Sequence, residues 1–377
     1  MNSSSSFSRR FSVSCLTLLL VLAAPMTRPC AADPASSPGH AWRSAASPML
    51  ARNDADAVLL HDGRVLLAGD SNFPGGGHTS ELYDPTTDSW EPAANLNVDR
   101  QGNFLTLLPD GRVLAAGGTA SIFDRETAEI YDPISDAWTL TNPMKVGHID
   151  HTVTLLLNGQ VLVAGGYKGS EIVAAAELYD PARGSWSLTA SMTQARASHT
   201  ATLLTDGRVL VAGGFKNRTL FSAELYDPSS GTWVPAGSMN FSRSGQTTTL
   251  LQNGQVLVVG GNSPDHLVPQ AELYDPEADS WILTGTLSVP RTDQTANLLP
   301  DGRVVVVGGW DNNIAPIRQA EIYTSATGLW TLGGRTEVGL GPGHIGVTLE
   351  NGKVLVTGGL TKPHSQNVAY LGPPRLP

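Results

Sequence analysis

Histidine side chains recur in this sequence at places where they could act together on a metal ion or a proton. His148 and His151 are three residues apart in the segment HIDH, and His199 and His344 follow further along the chain. Neutral imidazole is a common ligand for zinc and copper, and its titration lies close to physiological pH. The HIDH spacing is not a recognised metal signature, so the sequence leaves metal binding and acid–base catalysis as alternatives to a plain polar role.

A second group of candidate ligand-binding residues combines aromatic, charged and amide side chains. Trp310 is the one tryptophan outside a regular series, and Asp311 and Asn312 follow it directly. An exposed tryptophan beside such groups could stack on a sugar or anchor a protein partner. It could equally cover a neighbouring loop. The other candidates in this group are Arg125, Tyr167, Phe215, Arg218 and Arg318.

No motif of a known catalytic apparatus accompanies these residues. The chain contains no nucleophile elbow, no phosphate-binding glycine loop and no paired-histidine helix. Its two cysteines, Cys15 and Cys30, both precede residue 33. If the mature chain begins there, it has no thiol for catalysis, metal binding or a disulfide. We therefore expect no metal and no cofactor, and the sequence does not decide whether the protein is an enzyme.

The first 32 residues have the order of a secretory signal peptide. Arg9 and Arg10 come first, an apolar run follows over residues 15–24, and a small-residue site lies at residues 30–32. A run of about ten residues is too short for a bilayer, which needs about twenty. We expect residues 33–377 to be exported, either secreted or periplasmic, with no transmembrane segment.

Charge argues against nucleic acid as a partner. The formal charge is −10, and removal of Arg9, Arg10 and Arg28 with the signal peptide would make it −13. A chain this acidic repels a phosphate backbone.

One phrase, typified by DGRVLVAGG, recurs seven times and organises the rest of the chain. Successive copies begin 47 to 50 residues apart, and one series of tyrosines and one of tryptophans keep the same interval. The copies begin at Asp62, Asp110, Asn158, Asp206, Asn253, Asp301 and Asn351. A period near fifty residues is typical of one propeller blade per repeat.

Each repeat reads as four strands, which predicts an all-β, seven-bladed propeller over residues 33–377. An Asp-Gly or Asn-Gly pair between two β-rich runs predicts a hairpin with a primed turn. The last repeat ends shortly after Tyr370, whereas Trp42 precedes the first hairpin. The N-terminal segment is therefore predicted to supply the outer strand of the last blade and to close the ring without a covalent bond.

Two further positions recur with the blades. An arginine stands ten residues before most hairpins, and a glutamate stands two residues before each recurring tyrosine except the last. The seventh repeat lacks both, with Gly341 and Val368 in their places, which predicts a repeated ion pair. The residue three after the arginine is polar in most blades and is predicted to face the central channel as a solvated polar ring. It reads Ala55, Asn103, His151, His199, Gln246, Gln294 and His344.

The double glycine, the spaced tyrosine and tryptophan, and the Arg or His before the first strand together resemble the kelch-repeat propellers. The DGRVLVAGG phrasing is especially similar to the seven-bladed propeller of the galactose oxidase family. That resemblance implies copper radical chemistry on a cysteine-modified tyrosine, but no cysteine follows residue 30. Some exported kelch propellers are sugar epimerases or mutarotases, and no local motif here carries their catalytic residues.

Two functions remain open from the sequence. The first is a monomeric, exported module that binds a protein or a glycan through its variable inter-strand loops. The second is a sugar-modifying enzyme, epimerase-like or mutarotase-like, with its site at the channel mouth. Variable loops on a repeated scaffold favour the first.

Overall fold

The computed structural model describes residues 42–70, 77–102, 104–118, 126–361, 364–365 and 368–372. Within these ranges the chain forms seven four-stranded antiparallel sheets and no helix, and therefore no helix that could cross a bilayer. The predicted seven-bladed, all-β propeller is confirmed. The signal-peptide prediction falls on residues outside the described ranges.

The strands of the first four blades follow one pattern, from the inner to the outer strand. Blade 1 contains Asp56–Leu59, Val65–Ala68, Ser80–Asp84 and Ser89–Ala93, and blade 2 contains Phe104–Leu107, Val113–Ala116, Ala128–Asp132 and Ala137–Leu140. Blade 3 contains Thr152–Leu155, Val161–Ala164, Ala176–Asp180 and Ser185–Leu188, and blade 4 contains Thr200–Leu203, Val209–Ala212, Ala223–Asp227 and Thr232–Ala236.

Blades 5 and 6 keep the pattern with longer outer strands, whereas the outer strand of blade 7 has only two residues. Blade 5 contains Thr247–Leu250, Val256–Val259, Gln270–Asp275 and Ser280–Thr286, and blade 6 contains Thr295–Leu298, Val304–Val307, Ile317–Thr324 and Leu329–Leu340. Blade 7 contains His344–Thr348, Val354–Gly358, Ala369–Gly372 and Arg43–Ser44. Two-residue ribbons lie after the second strands of blades 3, 4 and 7: Tyr167–Lys168 with Glu171–Ile172, Phe215–Lys216 with Arg218–Thr219, and Leu360–Thr361 with His364–Ser365.

Burial of the second strand in each blade explains its continuous apolar character. All four residues of Val209–Ala212 are buried, because both faces of the blade pack against neighbouring blades. Seven hydrophobic clusters each join two adjacent blades, and the recurring tyrosines belong to them. In blade 4, Tyr226 is paired across the sheet with Trp233, with the ring centroids 5.0 Å apart. These tyrosines and tryptophans are therefore packing residues.

The hairpin between the first two strands differs from the predicted primed turn. In blade 1 the Leu60 amide donates to the Arg64 carbonyl, and the Gly63 amide donates to the Leu60 carbonyl. Gly63 has a φ of 85°, whereas Asp62 is not among the residues with positive φ. This is a three-residue loop, a type I turn followed by a left-handed glycine. Asp62 instead accepts the Arg64 amide, which holds the turn.

The N-terminal strand closes the ring as predicted, with an altered register. Arg43 pairs with Leu371 and Ser44 pairs with Tyr370, so the outer strand of blade 7 comes from the other end of the chain. In blades 1 to 6 the recurring tyrosine faces a tryptophan, whereas Tyr370 faces Ser44. Trp42 lies over Gly372, where a Cβ atom would come within 2.6 Å of its ring. Its Nε1 donates to the carbonyl of Gly333 in blade 6.

Strand alternation gives the propeller two rims. We call the hairpin rim the side that carries the loops between strands one and two and between strands three and four. The variable rim carries the loops between strands two and three and the connections from one blade to the next. Sequence differences between the blades concentrate on the variable rim.

Candidate functional site

A buried ion pair lies beneath the variable rim in five blades, and it confirms the predicted pairing. In blade 5, Arg243 Nη2 lies 2.7 Å from Glu272 Oε1, and both side chains are fully buried. The equivalent pairs are Arg52–Glu81, Arg100–Glu129, Arg196–Glu224 and Arg291–Glu321. We call each such pair a latch.

Each latch holds the bases of the loops of its blade. Arg100 donates from Nη1 to the carbonyls of Gly117 and Thr127, at the two ends of the loop between strands two and three. Glu129 accepts the amides of Asn97 and Val98, in the connection that arrives from blade 1. The tips of these loops can therefore vary in sequence while their bases stay in place.

Blades 3 and 7 depart from this arrangement. His148 takes the arginine's place in blade 3, with Nδ1 2.7 Å from the Gly165 carbonyl and Nε2 3.4 Å from Glu177 Oε1. Blade 7 has Gly341 and Val368 at the latch positions and no such pair. His148 is thus a latch residue inside the blade.

The predicted polar ring of the channel is not solvated, which corrects the interpretation from sequence. His151, His199, Gln246, Gln294 and His344 are all buried, with at most 7% of each residue exposed. Each reaches the carbonyl of the last residue of the second strand in the preceding blade. The carbonyl acceptors belong to Ala116, Ala164, Ala212, Val259 and Val307 respectively.

These side chains join neighbouring blades because the inner ends of the blades are close enough for a side chain to span them. Burial, with the charge of Arg196, lowers the pKa of His199 to about 3. Burial, with the nearby His148 and His199, lowers the pKa of His151 well below its ordinary value. Burial also lowers the pKa of His344. These imidazoles are therefore neutral at physiological pH and poor bases. Asn103 lies outside the described residues.

The histidines do not form a metal centre. His344 has both ring nitrogens on backbone carbonyls, at 2.7 Å from Gly341 and 3.1 Å from Val307. His148 has its nitrogens directed at Gly165 and Glu177. Across the described ranges, no group of three His, Cys, Asp or Glu residues is placed to hold a metal ion. The ring nitrogens of His344 thus have acceptors within the fold, whereas Nδ1 of His199 is buried without a hydrogen-bond partner.

The channel mouth on the variable rim is formed by a ring of seven residues, which we call the mouth ring. Its members stand two residues after the latch position and all have positive φ, between 51° and 75°. They are Asp54, Gly102, Asp150, Ser198, Gly245, Asp293 and Gly343. Backbone hydrogen bonds run from blade to blade, for example from the Gly102 amide to Asp54 and from the Asp293 amide to Gly245.

Carboxyl groups gather at this mouth. Asp54, Asp150 and Asp293 are exposed members of the ring. Asp54 is open to solvent on one side only, and the loss of hydration on its protein side raises its pKa; the charge of Asp150 adds to that effect. Burial raises the pKa of Asp70 to about 6, with a further contribution from Asp54. Asp56 accepts the Leu105 amide on the neighbouring inner strand, and burial raises its pKa to about 7.

Sequence interpretation missed these carboxyl groups, although a signal was present. Every position two residues after a latch position is Asp, Ser or Gly. Of the non-glycine residues, Asp is among those that tolerate a left-handed conformation. The recurrence of these residue types therefore indicates a left-handed backbone conformation just before each inner strand.

Trp310 has a repeated place in the structure, although it lies outside the tryptophan series. It follows the double glycine of blade 6, and its backbone forms a bridge to Thr292 in the incoming connection. Tyr167, Phe215 and Asn262 occupy the same place in blades 3, 4 and 5, with bridges to Ile149, Ala197 and Ser244. Trp310 is half-buried and Phe215 is exposed. The variable rim thus carries an arc of three aromatic side chains interrupted by one asparagine.

The other predicted ligand-binding residues have different surroundings. Asp311 Oδ1 accepts the amides of Asn313 and Ala315 and thereby holds its own loop. Asn312 is exposed, and Arg318 is exposed with Nε donating to the Thr336 carbonyl. Arg218 is exposed in the blade 4 ribbon. Arg125 lies outside the described residues, and no single cluster unites the rest.

Comparison with known proteins confirms the resemblance to kelch propellers. The Kelch motif family matches residues 151–193 and 196–240. No curated protein sequence matches the chain.

Two solved structures share the fold. One is a fungal alcohol oxidase of the AA5 family in complex with copper, 18% identical, over 89% of this chain and 76% of that chain, with a TM-score of 0.75. The other, YjhT, is 12% identical over 76% of this chain and 98% of that chain, with a TM-score of 0.60. At these identities the likeness concerns the fold alone.

Proposed function

We propose, for a chain that carries kelch motifs on a seven-bladed propeller, that the protein is an exported module that binds a protein or a glycan through its variable rim. The single observation that carries this proposal is the contrast between fixed loop bases and differing loop tips. The latches hold the bases in five blades. Two of these blades present Phe215 and Trp310 on the variable rim, and blade 3, where His148 replaces the arginine, presents Tyr167. Large aromatic side chains on a rigid support are typical of recognition surfaces.

Export is part of the proposal and rests on residues 1–32. Their charged start, short apolar run and small-residue site favour a signal peptide. N-terminal sequencing of the protein recovered outside the cytoplasm tests this part, and a mature chain that retains Arg9 would contradict it.

The proposed function is tested by binding to a glycan array and to a displayed peptide library. We expect a glycan or peptide to bind the wild-type protein and to bind more weakly after Trp310→Ala or Phe215→Ala. The matched control is Ile134→Ala, because Ile134 is a highly exposed apolar residue on the hairpin rim. Binding that is lost with Ile134→Ala but kept with Trp310→Ala and with Phe215→Ala would place recognition on the hairpin rim and contradict the proposal.

A sugar-modifying enzyme is a second candidate, favoured by the carboxyl groups at the channel mouth. The pKa of Asp70 is raised to about 6 by burial, which is suitable for transfer of a proton near neutral pH. Exchange between sugar anomers, followed by NMR for a panel of free sugars, would be accelerated by the wild-type protein and not by Asp70→Asn. Equal rates with and without the protein would remove this candidate.

A further inference from the structure

Unpaired positive charge is concentrated on one part of the variable rim. On the hairpin rim, arginines pair with the aspartates of their own turns, as Arg208 does with Asp206 at 2.7 Å. The latch arginines pair with buried glutamates. Among the described residues, the lysines and arginines without an ion pair are Lys145, Lys168, Lys216, Arg218, Arg318, Arg335 and Lys353.

Four of these seven cations stand on two neighbouring blades. Lys145 is in the connection that enters blade 3, Lys168 is in the blade 3 ribbon, and Lys216 and Arg218 are in the blade 4 ribbon. All four are exposed. Among the residues of the two ribbons, one is acidic: Glu171, which lies opposite Lys168 in the blade 3 ribbon. Asp150 of the mouth ring is a second acidic residue in these connections and ribbons, so four exposed cations stand against two carboxyl groups. This part of the rim therefore carries positive formal charge on a protein whose formal charge is −10.

The blade 4 ribbon holds two of the cations face to face. Lys216 and Arg218 are cross-strand partners, separated only by Asn217, which has a φ of 60°. Like charges directly opposite each other destabilise a β-ribbon. The ribbon is nevertheless attached to the connection that enters blade 4. The Phe215 amide donates to the Ala197 carbonyl, and the Ala197 amide donates to the Phe215 carbonyl. An anion bound between the two cations would remove their repulsion.

Exposed apolar side chains flank the same ribbon. Phe215 is 37% exposed at its start and Phe221 is 51% exposed just after its end. The Phe221 carbonyl accepts the Met239 amide, so the segment that carries this ring is fixed to the next connection. Arginine and aromatic residues together are enriched in protein–protein interfaces, where lysine and glutamate are depleted in the core.

We propose that the ribbons of blades 3 and 4 form a docking surface for an acidic polypeptide segment. Lys216 and Arg218 bind carboxylates of the segment, Lys168 supports them from blade 3, and Phe215 and Phe221 contact an apolar side chain of the same segment. Charge complementarity selects the occupant, since a positive patch on an acidic protein attracts negative partners and repels further copies of this chain. The proposal deepens the function proposed above, because it names the partner class and the part of the rim.

Soluble polymers test the proposal with the whole protein. The probes are poly-L-glutamate, a random copolymer of glutamate and tyrosine, the polyuronate alginate and poly-L-lysine. We expect the copolymer to bind best, poly-L-glutamate more weakly and poly-L-lysine not at all. The double variant Lys216→Glu with Arg218→Glu should lose about tenfold or more in affinity for both glutamate polymers. Phe215→Ser should reduce copolymer affinity to that of poly-L-glutamate.

The matched control is Arg183→Glu with Lys353→Glu, which changes the net charge equally on the hairpin rim. It should leave affinity within about twofold, because screened charges at that distance act weakly. Lys216→Glu alone should keep or slightly raise Tm, since it replaces a repulsive cross-strand pair by an attractive one. If the double variant does not fold, Arg218→Gln and Lys168→Gln replace it in the same assay.

Equal losses of affinity in the Lys216/Arg218 double variant and in the control double variant would overturn the proposal. Binding of alginate without binding of either glutamate polymer would also overturn it. The first result would indicate a general charge effect, and the second a glycan surface. Binding of either ligand class that depends on Trp310 but not on Lys216 or Arg218 would sink this inference and leave the proposed function intact. Binding that depends only on the hairpin rim would contradict both.

Discussion

The two rims of this propeller differ in where their ion pairs lie, at the surface on one rim and buried beneath the other. On the hairpin rim, each Asp-Gly turn pairs its own aspartate with an arginine two residues later, and both side chains contact solvent. Beneath the variable rim, the charges of the latches are buried within five of the seven blades. The Asp-Gly turns of the hairpin rim thus neutralise their own arginines at the surface. The variable rim combines a buried, fixed base with exposed tips whose charges are not neutralised.

This difference shows how a repeated fold acquires an individual surface. In five blades a latch pairs the recurring arginine with the recurring glutamate, so the loop tips can change in sequence while the loop bases stay attached. Blade 7 lacks the latch, and its outer strand is Arg43–Ser44 from the N-terminal segment. The comparison predicts that mutations of the buried latch charges lower the free energy of unfolding much more than mutations of the exposed charges.

Breaking a latch should have the largest effect on stability. Glu272→Gln leaves the Arg243 guanidinium buried without its anion, and removal of one partner of a buried pair costs about 3–5 kcal/mol. Urea denaturation measures the change in the free energy of unfolding. The double variant with Arg243→Gln should cost less than the sum of the two single variants. Additive losses would show that the two side chains act separately.

Loss of the half-buried Asp56 carboxyl on the inner strand of blade 1 should have a smaller effect that depends on pH. The pKa of Asp56 is raised to about 7 in the folded protein, above the value of about 3.9 for the unfolded chain. The folded state therefore binds the proton more tightly, and this group destabilises the protein progressively as pH rises from about 5 to 8. Asp56→Asn removes that dependence.

The measurement for Asp56 is the free energy of unfolding of both proteins at pH 5 and pH 8. The wild type should lose stability relative to Asp56→Asn at pH 8, by on the order of 2 kcal/mol. The buried histidines affect both proteins equally. Their lowered pKa values make folding less favourable below about pH 6.5, where the unfolded imidazoles bind protons. A constant difference between the two proteins would refute the role given to Asp56.

Breaking an ion pair of the hairpin rim should have the smallest effect. Arg208→Ala removes the partner of Asp206, and exposed pairs contribute about 0–1 kcal/mol. Thermal unfolding at low and high salt measures the contribution, which should shrink as salt screens it. A loss as large as that of Glu272→Gln would erase the distinction between the rims.

Periodicity explains which parts of this structure were predictable. Seven copies of one phrase predict the number of blades, and the joint absence of base and acid in blade 7 predicts the ion pair. The early end of the last repeat predicts the closure of the ring. Each of these features is local to one repeat or to the ends of the chain, so spacing alone reveals it.

Contacts between blades were less predictable from sequence. Burial of His199 and Gln246 depends on how closely neighbouring inner strands approach, and a single repeat does not encode that distance. The place of Trp310 was missed because its equivalents are Tyr167, Phe215 and Asn262, which share a position and a backbone bridge but no residue type. The altered register at Tyr370 arises where the two ends of the chain meet, and no other blade provides a template for it.

Site-specific blocking of each rim tests most directly whether recognition uses the variable rim. A chain beginning at residue 33 has no cysteine, so Ser170→Cys on the variable rim and Ile134→Cys on the hairpin rim each offer one site for a bulky maleimide. Both residues are exposed. Labelling at position 170 should abolish binding of the glycan or peptide found by screening, whereas labelling at position 134 should leave it unchanged. The reverse pattern would contradict the account.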